Sequence, residues 1–133
     1  MKKLSNKELQ LLDQELFKFR AIQRMIDLRR LELTTRNPDS QGGSSIGISK
    51  PTETAAIKLA DDPTLKFLEG FKEIMDKLLA NLIDEDKEIF NLRWQYPQLR
   101  WEEIADQKFL SNATIYRRRR IILEQYAILK GEL

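Results

Sequence analysis

The chain has 133 residues, 41% of them apolar and 33% charged, with a formal net charge of +2 and neither cysteine nor histidine. That length suits one helical core with an arm, and the missing thiol and imidazole exclude disulfides, thiol or imidazole catalysis and the usual zinc sites. We therefore expect no enzyme, no metal and no cofactor. No stretch approaches a membrane span, and Lys7, Glu8, Asp13 and Glu15 interrupt the apolar run that a leader opening on MKKL would need, so a cytoplasmic protein is expected. The small net charge hides an uneven distribution: +4 over residues 1–50, −3 over 51–100 and +1 over 101–133, with five basic residues and no acid between Asp106 and Glu124.

In residues 1–35, Leu12, Phe19, Ile26 and Leu33 recur every seven positions, and Leu9 and Leu16 fill the second heptad position. This predicts one long helix from Asn6 to about Thr34, roughly 40 Å at 1.5 Å per residue. Ile22, Met25 and Leu28 make a second strip on other faces, which suits a partner within the chain and another copy of it. Residues 36–51, RNPDSQGGSSIGISKP, hold three of the five glycines and two prolines and read as a linker that Ile46 and Ile48 can dock.

Residues 52–82 read as central helices. A short one runs from Thr52 or Glu53 to Ala60. Asp62 then serves as N-cap, with Pro63 at the first helical position. Leu68, Phe71, Met75, Leu78 and Leu82 follow spacings of 3, 4, 3 and 4, a seam matched to the stripe of the first helix. Asp84 is the expected cap of a further helix through Ile89, Phe90 and Trp94 that stops near Tyr96 and Pro97. The acids Asp84, Glu85, Asp86 and Glu88 complement its dipole rather than forming a metal site.

Residues 83–133 end in WEEIADQKFLSNATIYRRRRIILEQY, a short helix, a tight connection and a second helix capped by Ser111. That order predicts a helix-turn-helix. Ala105 is small enough for a close crossing, Leu110 plugs the turn, and Trp101, Ile104, Ile115 and Ile122 are the remaining core positions. Phe109 stands where a glycine is usual, so the turn needs either an unusual backbone or a one-residue shift. The fold class is thus all-α: a long N-terminal helix packed with a central helix, then a helix-turn-helix domain.

These residues carry a resemblance. Leu82 to Ile122, with Glu88, Leu92-Arg93-Trp94, Trp101-Glu102-Glu103-Ile104-Ala105, Ser111 and Thr114-Ile115-Tyr116-Arg117-Arg118-Arg119, resembles the region-four domain of bacterial sigma factors. Closer is the resemblance to phage transcriptional activators of the RinA and ArpU kind, whose middle segment is similar to ISKPTETAAIKLADDPTL at residues 48–65. The resemblance implies an all-helical phage regulator in the host bacterial cytoplasm that binds upstream of a late promoter and helps host RNA polymerase.

Four consecutive arginines cannot share a face at about 100° per residue. With Ile115 inward, Ile122 returns to within about 20° of it, Ala113, Arg117 and Arg120 fall within about 40° of the outward direction, and Arg118 and Arg119 flank the core line at about 60° and 40°. Arg117, with Asn112, Ala113 and Thr114, makes the base-reading set. Ser111, Tyr116, Arg118, Arg120 and Lys108 are the phosphate candidates. Arg118 and Arg119 can equally send their charge to carboxylates of preceding helices, and Glu124, four residues beyond Arg120, can hold Arg120 off the duplex. Trp94 is expected in the core, and Glu102, Glu103 and Asp106 away from DNA.

The expected function is sequence-specific binding of double-stranded promoter DNA by a homo-oligomer. Two alternatives stay open: a sigma-like adaptor that binds RNA polymerase and has weak DNA affinity, and a DNA-packaging component of the small-terminase kind.

Overall fold

Ser5 starts the first helix with a reciprocal cap: its hydroxyl accepts from Glu8 N at 3.2 Å while its own N–H donates to the Glu8 carboxylate at 2.9 Å. The computed structural model describes residues 3–35 and 56–133, and the expected linker 36–51 lies outside them, as does the start of the short helix after it. Among the described residues the elements are α1 (Asn6–Leu16), α2 (Phe19–Thr35), α3 (Pro63–Asn81), α4 (Asp84–Phe90), a π-helical turn (Asn91–Gln95), α5 (Trp101–Gln107) and α6 (Asn112–Lys130), with no strand. Residues 56–61 are helical too. The protein is all-helical.

One expectation is corrected. The long helix from Asn6 to Thr34 is two helices, because Phe17 N and Lys18 N bond back only three residues, to Gln14 O and Glu15 O, and tighten the chain out of α geometry. The break lies near Arg20, where the chain passes from one compact unit (residues 1–20 and 73–133) to the other (residues 21–72).

In the unit of residues 21–72, Ile22, Ile26, Leu65, Leu68 and Phe71 are buried. Asp62 caps α3 by accepting from Leu65 N at 2.7 Å, as its position before Pro63 predicts. Its two oxygens also take Arg29 Nε and Nη2, at 2.9 and 2.6 Å, and Arg30 pairs with Glu69. The Arg29 guanidinium, more than the Leu65 N–H, holds the Asp62 carboxyl below the usual carboxylate range. These pairs tie α2 to α3.

In the other unit Leu9, Leu12, Leu16, Met75, Leu78, Ile89, Phe90, Trp94, Ile104, Ile115 and Ile122 are buried. An aromatic row runs through it: Phe19 on Phe90 (5.5 Å between centroids), Phe90 on Trp94 (5.1 Å) and Trp94 on Trp101 (5.4 Å). The cap of α4 is Ile83 rather than Asp84, with Asp84, Glu85 and Asp86 forming its acidic first turn. Tyr96 N reaches Asn91 O at 2.9 Å to close the wide turn before the cis Tyr96–Pro97 bond. α1 packs against α6, which places the N-terminal helix beside the arginine run.

Candidate nucleic-acid interface

The connection between α5 and α6 is built from backbone bonds. Phe109 N donates to Asp106 O at 3.2 Å and Leu110 N to Ala105 O at 2.8 Å, with Phe109 in the left-handed region at φ 58°. This is a Schellman ending with phenylalanine at the position glycine usually takes. Helix α6 ends the same way with glycine: Gly131, φ 80°, donates to Ile128 O, and Glu132 N to Ala127 O. Of the two turn geometries open to Phe109, the unusual backbone is the one present. The Phe109 ring is 95% exposed.

Ser111 then caps α6, accepting from Thr114 N at 3.1 Å and donating to Thr114 Oγ1 at 2.9 Å. Trp101, Ile104, Ala105, Ile115 and Ile122 are buried, whereas Leu110 is only half-buried. Asn112, Ala113 and Arg117 are exposed on the leading surface of α6, and Thr114 is half-buried.

The four arginines have four different environments. Arg118 lies two-pronged on Asp86, with Nε 2.8 Å from Oδ1, and Asp86 is 1% exposed. This pairing raises the Arg118 pKa above its ordinary value. Arg119 Nε is 3.7 Å from Asp13 Oδ2, and its guanidinium lies 5.8 Å from the centre of the Tyr116 ring. Arg120 donates to Leu4 O at 3.1 Å and stands 3.8 Å from Glu124. Among the described residues, Arg117 alone of the four makes no hydrogen bond, ion pair or ring contact.

All five phosphate candidates are therefore engaged within the protein. Besides Ser111, Arg118 and Arg120, Lys108 pairs with Glu88, and the Tyr116 hydroxyl donates to Glu102. That last bond holds the Glu102 carboxyl below its usual range and the Tyr116 phenol above its own. Glu103 accepts from Arg100 N at 2.9 Å, which lowers its carboxyl in turn. Asp106 is exposed.

Sequence reasoning missed the residue on which this region is assembled. Asp13 of α1, 4% exposed, accepts from both indoles: Trp94 Nε1 to Oδ1 and Trp101 Nε1 to Oδ2, each at 2.9 Å. Arg93 adds Nε and Nη2 at 3.1 Å each. Asp13 thereby ties α1 to the π-helical turn, to α5 and, through Arg119, to α6. A buried carboxylate so surrounded is not solvated charge but the counter-ion of the domain. The C-terminal half of α6 is tied to α1 by a second acid. Glu15 accepts from Tyr126 Oη at 2.8 Å and from Lys130 Nζ at 2.6 Å. Burial first, and then Glu15, push the Tyr126 phenol far above its usual range.

Residues 4–127 match the family described as protein of unknown function (DUF722). The chain belongs to that family. The match spans α1 through most of α6, so the Asp13 network and the arginine run both lie inside the DUF722 region. No curated protein and no solved structure matches the chain. Among the described residues no group of three or more acids suits a metal ion, and no helix is long and apolar enough to cross a membrane.

Proposed function

We propose that this DUF722 protein is a sequence-specific DNA-binding transcriptional regulator that reads the major groove with α6, the second helix of a helix-turn-helix formed with α5. The observation that carries the reading is the free guanidinium of Arg117 on an exposed helix front, in a run whose other three arginines are held by Asp86, Asp13, Leu4 O and Glu124. A guanidinium with no partner among the described residues can give both its parallel donors to a guanine edge, and Asn112 and Ala113 beside it are exposed for adenine and a thymine methyl. The resemblance to RinA- and ArpU-like phage activators supports the finer role: activation of late genes from upstream of a promoter, with host RNA polymerase. One short α6 supplies few contacts, so the protein acts as a homo-oligomer on half-sites spaced by about one DNA turn or on direct repeats.

A second reading, an adaptor that binds RNA polymerase and touches DNA weakly, is favoured by the bare Phe109 ring at the turn. Selection from random duplex DNA with the full chain separates the two. A regulator yields a defined consensus, whereas an adaptor yields salt-sensitive retention without one. A particle mass of a large ring would point instead to DNA packaging.

A further inference from the structure

Two surface clefts flank the outward side of α6, and their other wall is α1. The first, of about 570 Å³, is lined by Asn6, Leu9 and Gln10 opposite Ala113, Tyr116 and the arginines 117, 119 and 120. The second, of about 530 Å³, runs from Lys7, Gln10 and Gln14 toward Arg93, Trp101 and Arg119. Gln10, Tyr116 and Arg119 line both, so the two form one trough. Among the described residues its cations are Lys7, Arg93, Arg117, Arg119 and Arg120, against a single lining carboxylate, Asp13, which is already shared by two indoles, Arg93 and Arg119. The Glu102 carboxylate stands near the rim at the Tyr116 hydroxyl.

Among the described residues Lys7 makes no ion pair, and Arg119, with Nε 3.7 Å from Asp13 Oδ2, makes no hydrogen bond. On α1, Asn6, Gln10 and Gln14 are exposed and add amide donors beside Lys7. Ammonium, guanidinium and amide N–H groups around an open trough suit singly charged oxyanions in a row, and the trough continues directly into the Arg117 surface.

We propose that α1 is part of the nucleic-acid interface: its Lys7 and Gln10 edge, with Arg119 at the floor of the trough, grips one backbone phosphate of the duplex whose groove α6 enters. This rests on the reading of α6 given above. It assigns the N-terminal helix two tasks, since its inner face supplies Asp13 to the core and its outer edge supplies phosphate contacts. Sequence preference then comes from α6, and α1 contributes affinity that is indifferent to sequence.

The test measures the salt dependence of binding to a selected duplex and to a scrambled one, using the full chain and its Lys7→Ala and Gln10→Lys variants. Both positions are exposed, and circular dichroism confirms that each variant is folded. Lys7→Ala is expected to flatten the log–log salt slope by about 0.9 on both duplexes, and Gln10→Lys to steepen it by about 0.9, with the preferred sequence unchanged. Unchanged slopes, or tighter binding by Lys7→Ala, in a protein that still selects a sequence would overturn the α1 clamp and leave the reading of α6 standing. Displacement by polyglutamate as effective, per charge, as displacement by duplex would also overturn it. Failure of the unaltered chain to bind either duplex at low salt would remove both proposals together.

Discussion

Asp13 and Phe109 each stand in surroundings unusual for their residue type, a buried carboxylate and a left-handed phenylalanine. An aspartate that neighbours Leu12 in an amphipathic helix has the sequence signature of a solvated acid, and its role depends on Arg93, Trp94 and Trp101, about eighty residues away in the chain. No local spacing encodes that meeting. Asp13→Ala would leave two guanidinium groups and the Trp101 indole N–H in the interior without their carboxylate, while Trp94 Nε1 keeps Asp13 O at 2.9 Å, so we expect a loss of roughly 3–5 kcal/mol of unfolding free energy, read from the urea midpoint. A loss under about 1 kcal/mol would mean that the network contributes little. Phe109, by contrast, announces itself in the sequence by standing where a glycine is usual. Its left-handed backbone costs roughly 1–2 kcal/mol, while glycine would lose about 0.5–1 kcal/mol to chain entropy. Because the ring is bare, Phe109→Gly is expected to leave the urea midpoint unchanged or raise it. A clear fall would show the ring to be packed.

Two helix starts were legible, because they are set by short-range chemistry: Asp62 before Pro63 and Ser111 before Thr114 each place a side-chain acceptor at an orphan backbone N–H. The Ser5 and Glu8 cap was not anticipated, and Ile83 stands where Asp84 was expected. The break at Phe17–Lys18 was not legible, since the heptad spacing of Leu12, Phe19 and Ile26 runs across it and carries no glycine or proline. The pairing of Asp62 with Arg29 makes α3 sensitive to pH. Its carboxyl is held below the ordinary value of about 3.9, so the stabilisation is fully present above about pH 5 and is lost as pH falls through the depressed folded-state value. Between pH 6 and pH 2.5 the thermal midpoint of the unaltered chain should therefore fall further than that of Asp62→Asn. An equal fall would place the acid sensitivity in other carboxylates.

Across the whole molecule, the all-helical class followed from composition and periodicity, and the division of the arginines followed in outline from helix geometry. The angular sorting put Arg117 outward and Arg118 and Arg119 toward the seam. The carboxylates that receive them, Asp86 and Asp13, could not be chosen from spacing because both belong to elements distant in the chain. Arg120, sorted outward by angle alone, is turned to Leu4 O and Glu124 because α1 packs alongside α6. Membership of the DUF722 family leaves the activity open, so the weight of the functional reading falls on one uncommitted side chain. The measurement that bears on it most directly is a comparison of consensus sequences selected from random duplex DNA by the unaltered chain and by Arg117→Ala, at one fixed salt concentration. The expected result is a defined consensus in which Arg117→Ala erases the preference at one guanine position, a loss of roughly 1–3 kcal/mol of discrimination, with neighbouring positions retained. An identical consensus from both proteins would contradict the assignment of Arg117 as the residue that reads.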